Sequence, residues 1–167
     1  RLERIHIQVT PRPLQRRDLS GEAWDSHRII LSWEDVLEST HRPGEGYNVA
    51  VHEFAHCVTL HLAPGFANNP VWLWEAVAVY EAGQLVPPSS LPSLVAGRFP
   101  TLAELSSRSG SPSIYDVGYT LTELIVARWG LDGLRRLIRS LGDLSTLGHT
   151  AASFEAEWRA FVTARYL

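Results

Sequence analysis

The sequence predicts an α+β fold, a small N-terminal mixed β-sheet packed on one helix and followed by a mostly helical C-terminal lobe. Three observations predict it. Strand-like apolar runs are confined to the first 33 residues. The longer apolar patterns after them recur at helical spacing. No repeat, low-complexity tail or long linker divides the chain, so residues 1–167 read as one domain, with sheet and first long helix over about 1–62 and helical lobe over about 63–167.

Residues 3–10 alternate, with Ile5, Ile7 and Val9 on one face, and predict a half-buried strand; His6 falls on the other face, as an exposed strand residue. Pro11 and Pro13 break the pattern. Leu19–Trp24 and His27–Trp33 predict two further strands joined by a tight turn at Asp25-Ser26. A short helix is expected from Ser32 or Trp33 through Leu37 or Glu38, then a loop over His41–Gly46.

The next helix starts near Tyr47 or Asn48 and is apolar nearly all round, with Val49, Val51, Phe54, Ala55, Val58 and Leu62. Such helices are buried. Asn48 is placed to cap it or to support a histidine four residues on; the cap is favoured. After a loop, Pro70 suits the first turn of a helix running to about Ala82, with Gly83 as its stop. Residues 84–100 read as a connecting loop rich in Pro, Ser and Gly, with at most a turn of helix. Thr101 and Glu104 form a capping box for a short helix, and residues 109–113 a second loop. Ile114–Trp129 predicts a long helix ended by Gly130. Leu134, Leu137, Ile138 and Leu141 predict another, with Gly142 after it. Ser153 is the expected cap of the last helix, whose stripe is Phe154, Trp158, Phe161 and Val162.

Composition bounds the function. Net charge is −3 and the pI about 6.2, which gives no electrostatic reason to invoke nucleic acid. One cysteine allows no internal disulfide. No apolar run approaches the ~18–20 residues of a transmembrane segment, and no signal peptide is visible. The chain has no Met and opens on Arg1, which reads as a processed product or an excised domain. Six Trp in so short a chain predict a dense core or an aromatic-lined groove.

The chemistry centres on His52-Glu53-Phe54-Ala55-His56. Positions i and i+4 lie on one helix face, so His52 and His56 can grip one cation through two imidazole nitrogens. Glu53 is rotated by about 100° from His52, which suits it to touch a water on that cation and not to ligate it. That is the physical content of H-E-x-x-H as a zinc hydrolase signature. The alternative is a surface helix with two solvated histidines; apolar flanks argue against it, because buried histidines and a buried carboxylate need partners.

Eighteen residues separate His56 from Glu75, within Trp72-Leu-Trp-Glu-Ala-Val-Ala-Val-Tyr80. In this spacing and in the second helix the chain resembles the gluzincin metallopeptidases, the superfamily of thermolysin and aminopeptidase N. The resemblance implies His52, His56 and Glu75 as ligands of one Zn2+ per chain, with Glu53 as general base. The order of strands and then helices predicts that the two lobes meet at a cleft containing the zinc. Ala76 departs from the usual Gly. The segment from Gly21 to Trp33, with Gly46 to His56, is similar to the Mlc-titration-factor type of metallopeptidase; that likeness covers about the first third. Tyr115, in Ile114-Tyr-Asp-Val-Gly-Tyr119, resembles the Y-x-x-G tyrosine of aminopeptidase N relatives, which donates to the oxyanion. The alternative for Tyr115 is a packed aromatic with its hydroxyl at the surface.

Other polar residues read more plainly. His61 is about 140° from His56 and faces elsewhere. Cys57 reads as a small buried hydrophobe, and Tyr80 as core. Glu81 is the rival third ligand but lacks the spacing. Thermolysin relatives place an Asp where this chain has Val79, so the partner of the histidines' second ring nitrogen is open, with Asp116 a candidate. The G-x-M-E-N strand that holds the substrate amine in aminopeptidase N relatives is missing; Glu22 or Asp25 is available for that role. The resemblance implies a zinc-dependent peptidase acting on a peptide or protein, as endopeptidase or aminopeptidase. The alternative is a catalytically silent or latent metallopeptidase-fold domain that binds a protein partner.

Overall fold

The computed structural model describes residues 6–10, 21–25, 28–32, 36–37, 48–107 and 111–167. Strands β1 (His6–Thr10), β2 (Gly21–Asp25) and β3 (Arg28–Ser32) form one sheet in the order β1-β3-β2. β1 runs parallel to β3, with Ile7 opposite Ile29. β2 runs antiparallel to β3, with an irregular register between Ala23 and Asp25. The sheet is therefore mixed, and the fold is α+β.

The expected alternation in β1 does not bury Ile7, which is 59% exposed; Ile29 and Leu31 of the central β3 are buried instead. Periodicity assigns residues to faces of a strand, but which strand a helix covers is settled by tertiary packing. Val36 and Leu37 are helical, as expected. The rest of that short helix, the turn at Ser26, the breaks at Pro11 and Pro13 and the loop over 41–46 lie outside the described residues.

Among the described residues six α-helices follow, which we number α1 (Val49–Leu62), α2 (Val71–Glu81), α3 (Pro92–Val95), α4 (Leu102–Ser106), α5 (Ile114–Arg139) and α6 (Ala151–Tyr166). Asn48 caps α1: its Oδ1 accepts the Val51 N–H at 3.1 Å. The capping box of α4 forms as read, Thr101 Oγ1 accepting from Glu104 N at 3.2 Å and Glu104 Oε2 from Thr101 N at 2.7 Å. Pro70 stands one position before α2, its carbonyl accepting from Trp74 N. Ser153 is not the cap of α6. Thr150 is, because its hydroxyl accepts from Ser153 N while the Ser153 hydroxyl turns back to Thr150 N at 2.9 Å. Gly130 takes φ 65° and kinks α5 between the two expected helices.

Two apolar clusters organise the described residues. Ile29 and Leu31 of β3 pack on Val49 and Cys57 of α1. The larger cluster joins α2, α5 and α6 through Leu73, Leu121, Leu124, Phe154 and Trp158. Trp158 donates its indole N–H to the Thr120 hydroxyl at 2.9 Å, which satisfies both polar atoms in the core. Trp72, Trp74 and Trp158 are buried, so those three belong to the dense core expected.

α2 and α5 approach closely at Gly118. A Cβ on Gly118 would lie 3.0 Å from the Ala76 Cα, so a side chain there would have to push the two helices apart slightly. α1 is not buried all round. Val51 and Phe54 are 37% and 44% exposed, and with Val58, Leu62, Leu131, Leu134 and Ile138 they border an apolar cavity of about 550 Å³. That stripe lies roughly 120° around α1 from the two histidines. No helix among the described residues is long and apolar enough to cross a membrane.

Candidate metal centre

α1 and α2 pack against each other and bring His52, His56 and Glu75 together. One donor atom from each lies within 4.8 Å of the others. Glu75 Oε2 stands 3.4 Å from His52 Nε2 and 3.6 Å from His56 Nε2. Bonds of about 2.05 Å in a tetrahedral zinc site would hold ligand atoms about 3.3 Å apart. Two imidazoles and one carboxylate at this spacing suit a divalent cation with a further position open. The donor set is buried: His52 is 9% exposed, His56 5% and Glu75 3%.

Each histidine has its own support. His52 Nδ1 lies 3.2 Å from Gln84 Oε1. The His56 ring stacks on Trp74, centroids 4.2 Å apart and planes within 6°. Neither supporting residue was expected from the sequence. Trp74 adjoins Glu75 inside the quoted motif, and Gln84 follows the Gly83 helix stop, but neither spacing says where the side chain points.

Glu53 is 8% exposed, on α1 between the histidines and the face that meets the sheet. Tyr115 lies in the first turn of α5. Its ring centre is 6.4 Å from that of His52, and it is 45% exposed. It is thus neither packed in the core nor remote from the cluster. Ala76, beside the third donor and in place of the Gly that the resemblance expects, packs on Gly118 one helical turn after Tyr115.

Other candidates fall elsewhere. Asp116 is committed to the start of α5, Oδ2 accepting from Ser113 N at 2.6 Å and from the Ser113 hydroxyl at 2.8 Å, so it is not the histidines' partner. Its position three residues after Ser113 is a capping signal. Glu81 is exposed and borders the apolar cavity. His61 and His6 are exposed, and Cys57 is buried against the Arg28 carbonyl. Tyr80 is half-buried, its ring 5.0 Å from that of Tyr119. The side chains of Glu22 and Asp25 lie outside the described residues.

Charge binds the cluster even without a cation. Burial alone would lower the His52 pKa, but its hydrogen bond to Glu75 and the charges of Glu75 and Glu53 outweigh burial and raise it above 6.5. Burial alone would raise the Glu75 carboxyl; hydrogen bonds to His52 and His56 instead hold it well below the usual carboxylate range. The raised His52 pKa stabilises the metal-free fold below pH 6.5, and that contribution is lost as pH climbs through the raised value. The depressed Glu75 pKa contributes above 4.5 and is lost on acidification. Chelator-treated protein should therefore melt higher near pH 6 than near pH 8. With zinc added the order should reverse, because protons compete with the metal for the ring nitrogens. Thermal melts at the two pH values, with and without zinc, measure both slopes.

Residues 8–62 match the family described as glucose-regulated metallo-peptidase M90. The match covers His52, Glu53 and His56 and ends before Glu75, which the fold alone brings to them. Mlc titration factor A of Pectobacterium atrosepticum is 31% identical over 62 residues, 37% of this chain and 23% of that protein. The likeness thus spans under a quarter of that relative. No solved structure matches the chain. These comparisons support a metallopeptidase-like family for the N-terminal third.

Proposed function

We propose that this chain is a zinc-dependent peptidase of the gluzincin type, organised as one domain. The observation that carries the reading is the convergence of His52, His56 and Glu75 from two helices on a point beside a buried Glu53. In this reading His52, His56 and Glu75 hold one zinc ion. Zinc held there would lower the pKa of a water towards ~7 and polarise a substrate carbonyl. Glu53 takes a proton from the attacking water as the new C–O bond forms, then returns it to the amine as the C–N bond breaks. Tyr115 donates its hydroxyl to the developing oxyanion. Its nearness to His52 and its solvent exposure support that role over packing.

A second reading, a silent domain that binds a protein partner, draws on two observations. The N-terminal third resembles a protein named as a titration factor for Mlc. The apolar stripe of Val51, Phe54 and Leu131 is exposed. A buried glutamate beside the three donors favours catalysis, since a purely structural site needs no base.

Zinc-loaded protein should cut members of an unbiased peptide library, and chelation should stop it. In the same assay Tyr115→Phe, which removes only a hydroxyl, should lower kcat by roughly 10²-fold with little change in KM. An unchanged rate would return Tyr115 to a packing role. A loaded wild type that cuts nothing would favour the second reading.

A further inference from the structure

The two nitrogens of the His52 ring have different surroundings. Nε2 faces Glu75 Oε2 at 3.4 Å, towards the point where the three donors meet. Nδ1 points away, to Gln84 Oε1 at 3.2 Å. We infer that Gln84 is the positioning residue of the metal centre: its carbonyl takes the Nδ1–H of His52 and so keeps the Nε2 lone pair aimed at the cation. The inference rests on the metal-centre reading above.

The backbone holds Gln84 in place for this. α2 ends with Gly83 N–H donating to the Tyr80 carbonyl and Gln84 N–H to the Val79 carbonyl, both at 3.0 Å. Gly83 takes φ 69° between them. This paired closure is the Schellman ending, and its turn needs a residue tolerant of positive φ. A further bond, Leu85 N–H to the Gly83 carbonyl at 2.9 Å, fixes the chain on the other side of Gln84. The glutamine therefore leaves the end of the helix that carries Glu75 and reaches the histidine of the other helix. Its carbonyl ties α2 to the first ligand while Glu75 supplies the third. Glutamine also sets the charge. A carboxylate in its place would accept the same proton but add a negative charge behind the ring, raising the basicity of the ligand. A neutral amide orients the ring without doing so.

Three zinc affinities, measured by competition with a chromophoric chelator, test this: wild type, Gln84→Met and Gln84→Glu. Met keeps the length and bulk of Gln and loses the acceptor. It should bind zinc about 10–100-fold more weakly. Glu keeps the acceptor and should match or exceed wild type, a rescue that a packing role would not produce. In ¹⁵N NMR of the metal-free proteins above the His52 pKa, the fraction of His52 carrying its proton on Nδ1 should fall in the Met variant and persist in the Glu variant. Equal zinc affinities and equal ring states in all three proteins would overturn the role of Gln84 and leave the metal centre standing. A folded wild type that takes no zinc would overturn the metal centre, and the role of Gln84 with it.

Discussion

Replacing Glu53 by Gln should leave a folded, zinc-loaded chain with almost no peptidase activity. Glu53 is not one of the three clustered donors, so metal content and thermal stability should stay near wild type. Gln keeps the size of the side chain and much of its hydrogen bonding, but cannot accept the proton of an attacking water. Loss of a general base typically costs about 10²–10⁴-fold in rate, and more when the same group must also return the proton. Metal analysis, a thermal melt and library cleavage on one preparation measure all three properties. If Glu53→Gln cleaves as fast as wild type, Glu53 is not the base. If the variant loses its zinc instead, Glu53 belongs to the metal site and the division of roles is wrong.

The second large effect is expected at the third donor. Glu75→Ala should lose most of the bound zinc, beyond the ~10–100-fold typical of an outer partner, because an open site has only three protein bonds. The loss should match that of His52→Ala or His56→Ala. Glu75 also stands against both Nε2 atoms, at 3.4 and 3.6 Å. Its removal leaves two buried imidazoles with their shared anion gone. Glu81→Ala is the control. Glu81 is acidic and follows Glu75 by six residues, yet it is exposed beside the apolar cavity. Zinc retained in Glu75→Ala and lost in Glu81→Ala would overturn the assignment.

How far the sequence carried depends on whether a residue's role follows from local period. Asn48, Thr101, Gly83 and Gly130 were legible because caps, stops and kinks are set by a few adjacent dihedrals. His52 and His56 were legible because four residues make one turn. Glu75 was legible only by its distance from His56 within a known pattern, since nothing local separates it from Glu81. The α+β order was legible too, but the covered strand was not. Ile7 and Ile29 both sit in strand-like apolar runs, and only packing buries the second. The open stripe on α1 was missed for a related reason: an apolar helix predicts that its surface should be covered, not that every face is. Gln84 and Trp74 act through side-chain direction across two helices, which no spacing in one chain segment encodes. Asp116 misled because one residue type serves a cap and a histidine partner equally well, and the cap three residues away was nearer.

The Ala76–Gly118 crossing has a mechanical consequence. At Gly118 the helices meet with no α5 side chain between them, and buried Leu73, Leu121 and Leu124 close-pack the rest of the contact. α2 and α5 should then travel as one body, carrying Glu75 and Tyr115 at a fixed separation. α1 meets this body with a looser contact and has the sheet on another face. A metal held by His52 and His56 from α1 and by Glu75 from α2 would thus fasten the histidine helix and its sheet to a rigid block, and its removal would free them to shift. The tie between His52 and Gln84 spans that joint, as do the contacts of Glu75 with both histidines.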